Sequence, residues 1–528
     1  MKKSVFLFVF ILCTYSCVSI KKYNNEIYSV HSVSELSKDV DIAYTQLQKF
    51  HPKLYQYVTK EKLDSLFASL KNEIDKPINS YEFYERLAQV IKEIRQGHLM
   101  LHPPTQKYSK AQLKELRKLK FEFFELDFEL LNNKLWVKGT RGADSTIVGH
   151  EVLAVNQEFS KKLVYRYKSL ITSDGYNKTY YNRFVGKNFS NFYYAEKGFM
   201  DSLNLLLKNR DSIYFKTLKW INKGVVFAKH TDSIASARKL TSLEKLAIKE
   251  KQKTKRKEGR TRGYVPQRDH FLRNLEFIGE DNSVAYLKIR SFGDGNQRKF
   301  YRETFAEIKR RKVVNLIIDL RDNGGGSIAE IKNLYSYIAV QPFQLVNKAA
   351  IKTKIPATKA MISSKNSSFF EGILQLFAIP GLLVYDFLHV KTVKGNSFYN
   401  LSESKLKKPK KNNYKGNIYV LINGYSFSAS SILATNLKAT KRAIFVGEET
   451  GGAYNGTVAG QYKYVTLPNS LVSMKIGLMQ IESPYKSAQI GYGIQPDMKI
   501  IPSQKDRLIG KDPELDWVLN SIFNVNKN

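Results

Sequence analysis

Residues 313–320, Val313-Val314-Asn315-Leu316-Ile317-Ile318-Asp319-Leu320, constrain the fold of this chain more than any other stretch. The run is short for a helix, rich in β-branched residues and nearly free of polar alternation, the pattern of a strand covered on both faces. Such strands lie in parallel sheets, whose neighbours are joined by long crossovers, usually helices packed on the sheet. An amphipathic helix through Phe305 and Ile308 precedes the run and a helix over 328–338 follows it. A second apolar strand is predicted over 417–423, with helical spacing over 432–438 behind it. The last and largest domain is therefore expected to be a layered α/β structure.

In such a domain, chemistry gathers where strands end and helices begin. The first strand runs into Arg321-Asp322-Asn323-Gly324-Gly325-Gly326-Ser327, where glycines can bring bare N–H groups close to a ligand oxygen. This turn lacks the Lys-Ser/Thr of a P-loop and the spacing of a dinucleotide fingerprint. The second strand runs into Gly424-Tyr425-Ser426-Phe427-Ser428-Ala429-Ser430-Ser431. A hydroxyl there projects beyond the sheet, and the free N–H groups and dipole of the helix start favour developing negative charge. Acyl-transfer enzymes mount a nucleophile in this way. Serine is also a preferred helix cap, so the stretch alone leaves both readings open.

At 528 residues the chain exceeds what one core usually supports, so two or three domains are expected. An apolar fraction of 43% argues for folded cores rather than disorder. Lys2 and Lys3, an apolar run over 5–12 and then Thr14-Tyr15-Ser16-Cys17 read as an export signal too short to span a bilayer. Cys17 after a small residue resembles the lipobox of bacterial lipoproteins, with Thr14 where Leu is usual. Cleavage before Cys17 removes Cys13, so no intrachain disulfide is expected and Cys17 is the lipidation candidate. The expected location is the cell envelope, as a periplasmic or outer-membrane lipoprotein held to the membrane by its lipid. A net charge of +37 attracts anionic headgroups or acidic polymers. No nucleic-acid partner is expected, since no zinc-finger, helix-turn-helix or stacking-aromatic signature is present. No dense His/Cys/carboxylate cluster calls for a metal or cofactor. Oligomeric state leaves no mark on the sequence.

In chain order, a signal over 1–17 and a tether over 18–33 precede a helical module over 34–104, where Val40, Ala43, Tyr44, Leu47 and Phe50 recur at helical spacing. The module ends at Gln96-Gly97-His98, and His98 opens a short apolar alternation. Residues 118–225 read as strands, with an Asn132-Asn133 turn between two of them. Within them, 147–156 resembles the core of a PDZ-like domain without its Gly-hydrophobic-Gly loop. Residues 226–270 read as a flexible basic linker, because 238–262 holds eleven Lys or Arg against three Glu. The core spans 271–505, with an insertion over 341–415 read as a lid, and 506–528 read as a C-terminal helix and tail.

Asp319-Leu320-Arg321-Asp322-Asn323-Gly324-Gly325-Gly326, Ser428-Ala429-Ser430, Gly447-Glu448-Glu449-Thr450-Gly451-Gly452 and Gly493-Ile494-Gln495-Pro496-Asp497 follow one another in this order. With the strand before Phe292 they resemble the C-terminal processing, or tail-specific, serine peptidases and the tricorn protease core. The resemblance implies a crotonase-like (ClpP/crotonase) α/β peptidase core, with the helical module and a degenerate PDZ-like domain before it. It implies Ser428 as nucleophile, since the family serine stands immediately before Ala-Ser, and an oxyanion held by N–H groups of Ala429 and of Gly324 or Gly325. The tail-specific lysine position holds Ala453, and Thr457 stands where a family glutamine would, so a Ser-Lys dyad is not expected. Gly97-His98 matches the Gly-His of the tricorn-like branch and makes His98 the general base. The branch's triad glutamate is missing at 489–492; of Glu448, Glu449 and Glu482, Glu448 is read as holding its turn and Glu449 is preferred for the role. The expected function is a serine-type peptidase acting on a peptide or protein. Two rivals are a non-catalytic binder of hydrophobic ligands or peptides on the same fold, as in the retinoid-binding relatives, and a basic surface-interaction protein.

Overall fold

The computed structural model describes residues 19–141, 144–223, 225–227, 237–239, 241–279, 282–363 and 369–525. Cys17 and the predicted signal lie outside them.

The strand read first, Asn315–Asp319, lies inside a six-stranded sheet and is paired in parallel with Val284–Ile289 on one side and Asn417–Ile422 on the other. Ile444–Gly447 and Met498–Lys499 continue the parallel order, and Arg273–Ile278 closes the other edge antiparallel. Covering on both faces explains the unbroken apolar run. Leu316 and Ile318 point into the main core, while Ile317 packs with Val518 and Ile522 of the C-terminal helix Pro513–Val525.

A second, antiparallel sheet lies beside the first and carries the strands Thr457–Thr466 and Ser473–Ile481. It has two contributors from elsewhere in the chain. The 341–415 insertion supplies Ala349–Ile351, Val390–Val393 and Asn396–Tyr399, so it extends this sheet rather than interrupting the fold. Beyond the sheet, the insertion's helix Phe369–His389 leaves Phe377, Val384, Phe387 and Leu388 exposed. Among the described residues no helix is long and apolar enough to cross a membrane. From the N-terminal side, Met100–His102 adds to Ser473–Ile481 in the register Lys475↔Met100 and Met474↔Leu101. That pairing brings the end of the helical module onto the core.

The module is built as its spacing predicts. Val33–Phe50 begins with a Ser32/Glu35 capping box and buries Leu36, Val40, Ala43, Leu47 and Phe50. The buried Asp39 carboxylate accepts the Ser470 N–H at 2.7 Å, tying this helix to the second sheet's hairpin. The tether reading is corrected: Ile20–Tyr28 is a helix capped by Ser19, with Ile27 buried and Asn24 bonded to the Lys107 backbone.

Residues 118–225 form a seven-stranded antiparallel sheet with helices Ser160–Ser169 and Thr179–Lys197 against it. Asn132 and Asn133 take φ of +52° and +60°, as the hairpin turn between Leu126–Leu131 and Lys134–Thr140 requires. The basic run is also corrected. Thr241 and Glu244 form a capping box, Gly263 ends the segment at φ +70°, and Ser242–Arg262 between them is an exposed helix. Lysine, arginine and glutamate are good helix formers, so solvation and helicity are compatible here.

Candidate active site

Ser428 precedes the first residue of helix Ala429–Ala439 with φ +58° and ψ −121°, a conformation that costs a non-glycine residue about 1–3 kcal/mol. The neighbouring serines brace it. Ser426 Oγ donates to Leu320 O at 2.8 Å, Ser430 Oγ to Asn323 O at 3.0 Å and Ser431 Oγ to Ser426 O at 2.9 Å. Ser426 is thus fully engaged within the turn, while Ser428 Oγ faces the His98 Nε2 at 3.0 Å. The two residues lie 330 positions apart in the chain.

The His98 ring stacks on Phe427 with centroids 4.6 Å apart, and its Nδ1 lies 3.0 Å from Thr457 Oγ1. Thr457 Oγ1 in turn donates to Asp174 Oδ1 at 3.1 Å. These contacts fix the tautomer when Asp174 is ionised. A carboxylate only accepts, so the single hydroxyl hydrogen of Thr457 goes to Asp174 and its oxygen accepts from Nδ1–H. Nε2 is then the lone pair that faces the serine hydroxyl. The chain Asp174, Thr457, His98, Ser428 is polarised in one direction.

Asp174 also accepts the Gly97 N–H at 2.7 Å and faces the Ala453 N–H at 3.5 Å. Its loop clamps the histidine segment at two more points, through Thr172 Oγ1 to Leu99 O at 2.6 Å and Gly175 N to Arg95 O at 2.8 Å. Gly97 has to be glycine, since a Cβ there would lie 2.7 Å from the Phe427 ring. Burial pushes the Asp174 carboxyl up to about 6, against the lowering effect of its hydrogen bonds. Burial, with a smaller push from the Lys475 charge, lowers the His98 imidazole to about 3. The ring is therefore neutral across the physiological range and free to accept a proton.

Glu449 is not where the sequence reading put it. Its carboxylate accepts the Gly493 N–H at 2.7 Å, pinning two turns together, while His98 Nδ1 is taken by Thr457. Glu448 holds its turn as expected, accepting the Gly424 N–H at 3.0 Å and Arg183 Nε at 2.9 Å. Glu482 engages Asn347 and Lys486. Asp174 escaped the sequence reading because nothing in its spacing marks it; it lies in a short polar segment between two helices, 77 residues from Gly97 and 283 from Thr457.

The glycine-rich turn packs directly against the serine turn. A Cβ on Gly325, whose φ is +101°, would stand 2.7 Å from Ser428 Cβ and 2.9 Å from the Ala429 nitrogen. The Gly325 N–H itself donates to Asn323 Oδ1 at 2.9 Å. Gly325 thus provides clearance, and its N–H is already engaged within its own turn. Ala429 opens its helix, so its N–H has no partner within that helix. Among the described residues no cluster of His, Cys, Asp and Glu could hold a metal ion.

Comparison with known families gives a match over residues 283–500 to the model described as peptidase family S41. The core of this protein is similar to peptidase family S41. Its range takes in the glycine turn, the serine turn and Thr457, whereas His98 and Asp174 lie before the S41 match. Among solved structures, mature CPAF complexed with lactacystin is 16% identical, with 94% of this chain and 99% of that one covered at a TM-score of 0.60. The likeness is one of fold, and it extends beyond the S41 domain into the helical module and the seven-stranded sheet. The photosystem II D1 C-terminal processing protease is 13% identical over 89% of this chain and 94% of its own, with a TM-score of 0.40. Tricorn protease is 14% identical over 94% of this chain and 37% of its own, with a TM-score of 0.35. No curated protein matches.

Proposed function

We propose that this protein is a cell-envelope serine peptidase in which Ser428 is the nucleophile and His98 the general base. The 3.0 Å approach of His98 Nε2 to Ser428 Oγ carries the reading. Ser428 Oγ attacks a peptide carbonyl while its proton passes to Nε2. The N–H groups of Ala429 and Gly324 hold the oxyanion, and the imidazolium returns the proton to the leaving amine. Thr457 and Asp174 are positioning residues: they fix the tautomer and stabilise the imidazolium through one shared hydroxyl. The surrounding domain is read as crotonase-like and the seven-stranded sheet as a degenerate PDZ-like domain. The export signal and Cys17, together with the exposed apolar side chains of Phe369–His389, support a place at a membrane surface.

The short contact favours this reading over a non-catalytic binder, for which the two groups have no reason to meet. Hydrolysis of a quenched-fluorescent peptide library by wild type, Ser428→Ala and His98→Ala tests it. Both variants are expected at background; turnover surviving in Ser428→Ala would overturn the assignment.

A further inference from the structure

A cavity of about 530 Å³ lies where the seven-stranded sheet and helix Thr179–Lys197 meet the S41 domain. Its charges do not balance. The three carboxylates on its wall are already matched: Asp127 by Arg141, Glu129 by Arg183 and Arg507, and Asp322 by Lys138 at 3.4 Å and by the Asn423 amide at 3.0 Å. Lys288 and Arg321, also on the wall, are matched by Asp319.

Three cations on the same wall have no carboxylate partner among the described residues. Lys187 Nζ donates only to the Asp322 backbone oxygen, at 3.2 Å. Arg290 donates to the Phe271 backbone oxygen at 3.1 Å. The Arg268 side chain, also on the wall, has neither an ion pair nor a hydrogen bond among the described residues. The crowding registers on the titratable groups. Burial first, then Arg268 and Lys138, bring Lys187 down to about 8, outweighing the opposing pull of Asp322 and Asp127. Burial and then Arg290, Arg268 and Lys187 bring His270 down to about 4, Asp127 alone opposing. Cations held together without counter-charge in a concave site are what an anion-binding pocket requires.

We infer that this cavity binds an oxyanion, a phosphate or a carboxylate, through Lys187, Arg268 and Arg290. The site adjoins the catalytic turns. Lys187 Nζ sits 4.0 Å from the Tyr425 ring centroid, and that ring lies against Gly324, where a Cβ would come within 2.9 Å of it. An anion drawing on Lys187 therefore acts on Asp322 and Tyr425 together, the residues that flank the glycine turn and the serine turn. The occupant comes either free from solution or as an acidic group on a peptide.

Isothermal titration and thermal melts of the full chain with inorganic phosphate, against chloride at matched ionic strength, test the site whether or not the protein is a peptidase. A second arm titrates Ser428→Ala protein with a Glu-rich peptide and its Gln counterpart, with and without phosphate. Phosphate binding that weakens at least tenfold in Lys187→Gln and in the exposed Arg268→Gln supports a free anion. Binding of the Glu peptide but not of its Gln counterpart, displaced by phosphate, supports an acidic group of a peptide. Binding of neither, or binding that both variants leave unchanged, overturns the inference.

Discussion

Thr457→Val isolates the hydroxyl that joins Asp174 to His98. The substitution keeps the shape of a buried side chain at the start of strand Thr457–Thr466 and deletes two hydrogen bonds, of 3.0 and 3.1 Å. In the resting enzyme the loss is moderate, because the Gly97 and Ala453 N–H groups still face Asp174 and the ring still stacks on Phe427. In the transition state the ring is charged, and the lost link is then a charge-assisted one, worth about 1.5–3 kcal/mol. That corresponds to a fall in kcat of roughly 10- to 150-fold with KM nearly unchanged. Thr457→Ser restores the hydroxyl and is expected to recover most of the rate. Steady-state kinetics on a quenched peptide, with thermal melts to confirm folding, measure both. A folded Thr457→Val enzyme within twofold of wild type, or a Ser variant no faster than the Val variant, would refute the relay.

Other expectations follow from the same geometry. Because His98 is neutral down to about pH 3, the acid limb of kcat/KM is expected near pH 6, where Asp174 protonates and the charge stabilising the imidazolium is lost; in Asp174→Asn this limb should vanish along with most of the activity. Gly325→Ala forces a Cβ into the serine turn at a φ of +101°, and should cost at least 100-fold in kcat/KM and about 1–3 kcal/mol of stability by urea melts. Ser426→Ala removes buried hydrogen bonds and should cost about 1–2 kcal/mol of stability while leaving Ser428 reactive to a fluorophosphonate. His51 is buried with both ring nitrogens unpartnered, and burial, with a smaller push from the Lys352 charge, lowers it to about 3 from an ordinary 6.5. Its neutral form stabilises the fold above pH 6.5 and that contribution is lost as the pH falls towards 3. His51→Leu should therefore reduce the acid loss of stability by about 2 kcal/mol between pH 6.5 and 4.5, read from urea melts at the two values.

The strand-and-turn frame was legible because its signals are local. An apolar run such as 313–320 has few places to go but the middle of a parallel sheet, and the turns after it announce themselves by glycine and serine. His98 was legible only by comparison with a family motif, since a lone histidine carries no mark of its partner. Asp174 was out of reach. It joins the site through a loop whose position depends on contacts with Arg95, Leu99 and Gly491, all distant in sequence. Glu449 drew attention through its motif, yet its half-buried carboxylate serves a backbone N–H. The tether and linker regions were misread for one reason: polarity was taken for disorder, whereas Ser19 and Thr241 each cap a helix that polar residues are well able to form.

The central claim is that His98 activates Ser428, and the rate of covalent labelling measures that most directly. A fluorophosphonate probe, followed by peptide mapping of the adduct, is expected to mark Ser428 in the wild type, to slow by at least 100-fold in His98→Ala and to leave Ser428→Ala unmarked. A folded wild-type protein that stays unlabelled at Ser428, or one labelled there equally fast without the imidazole, would contradict it.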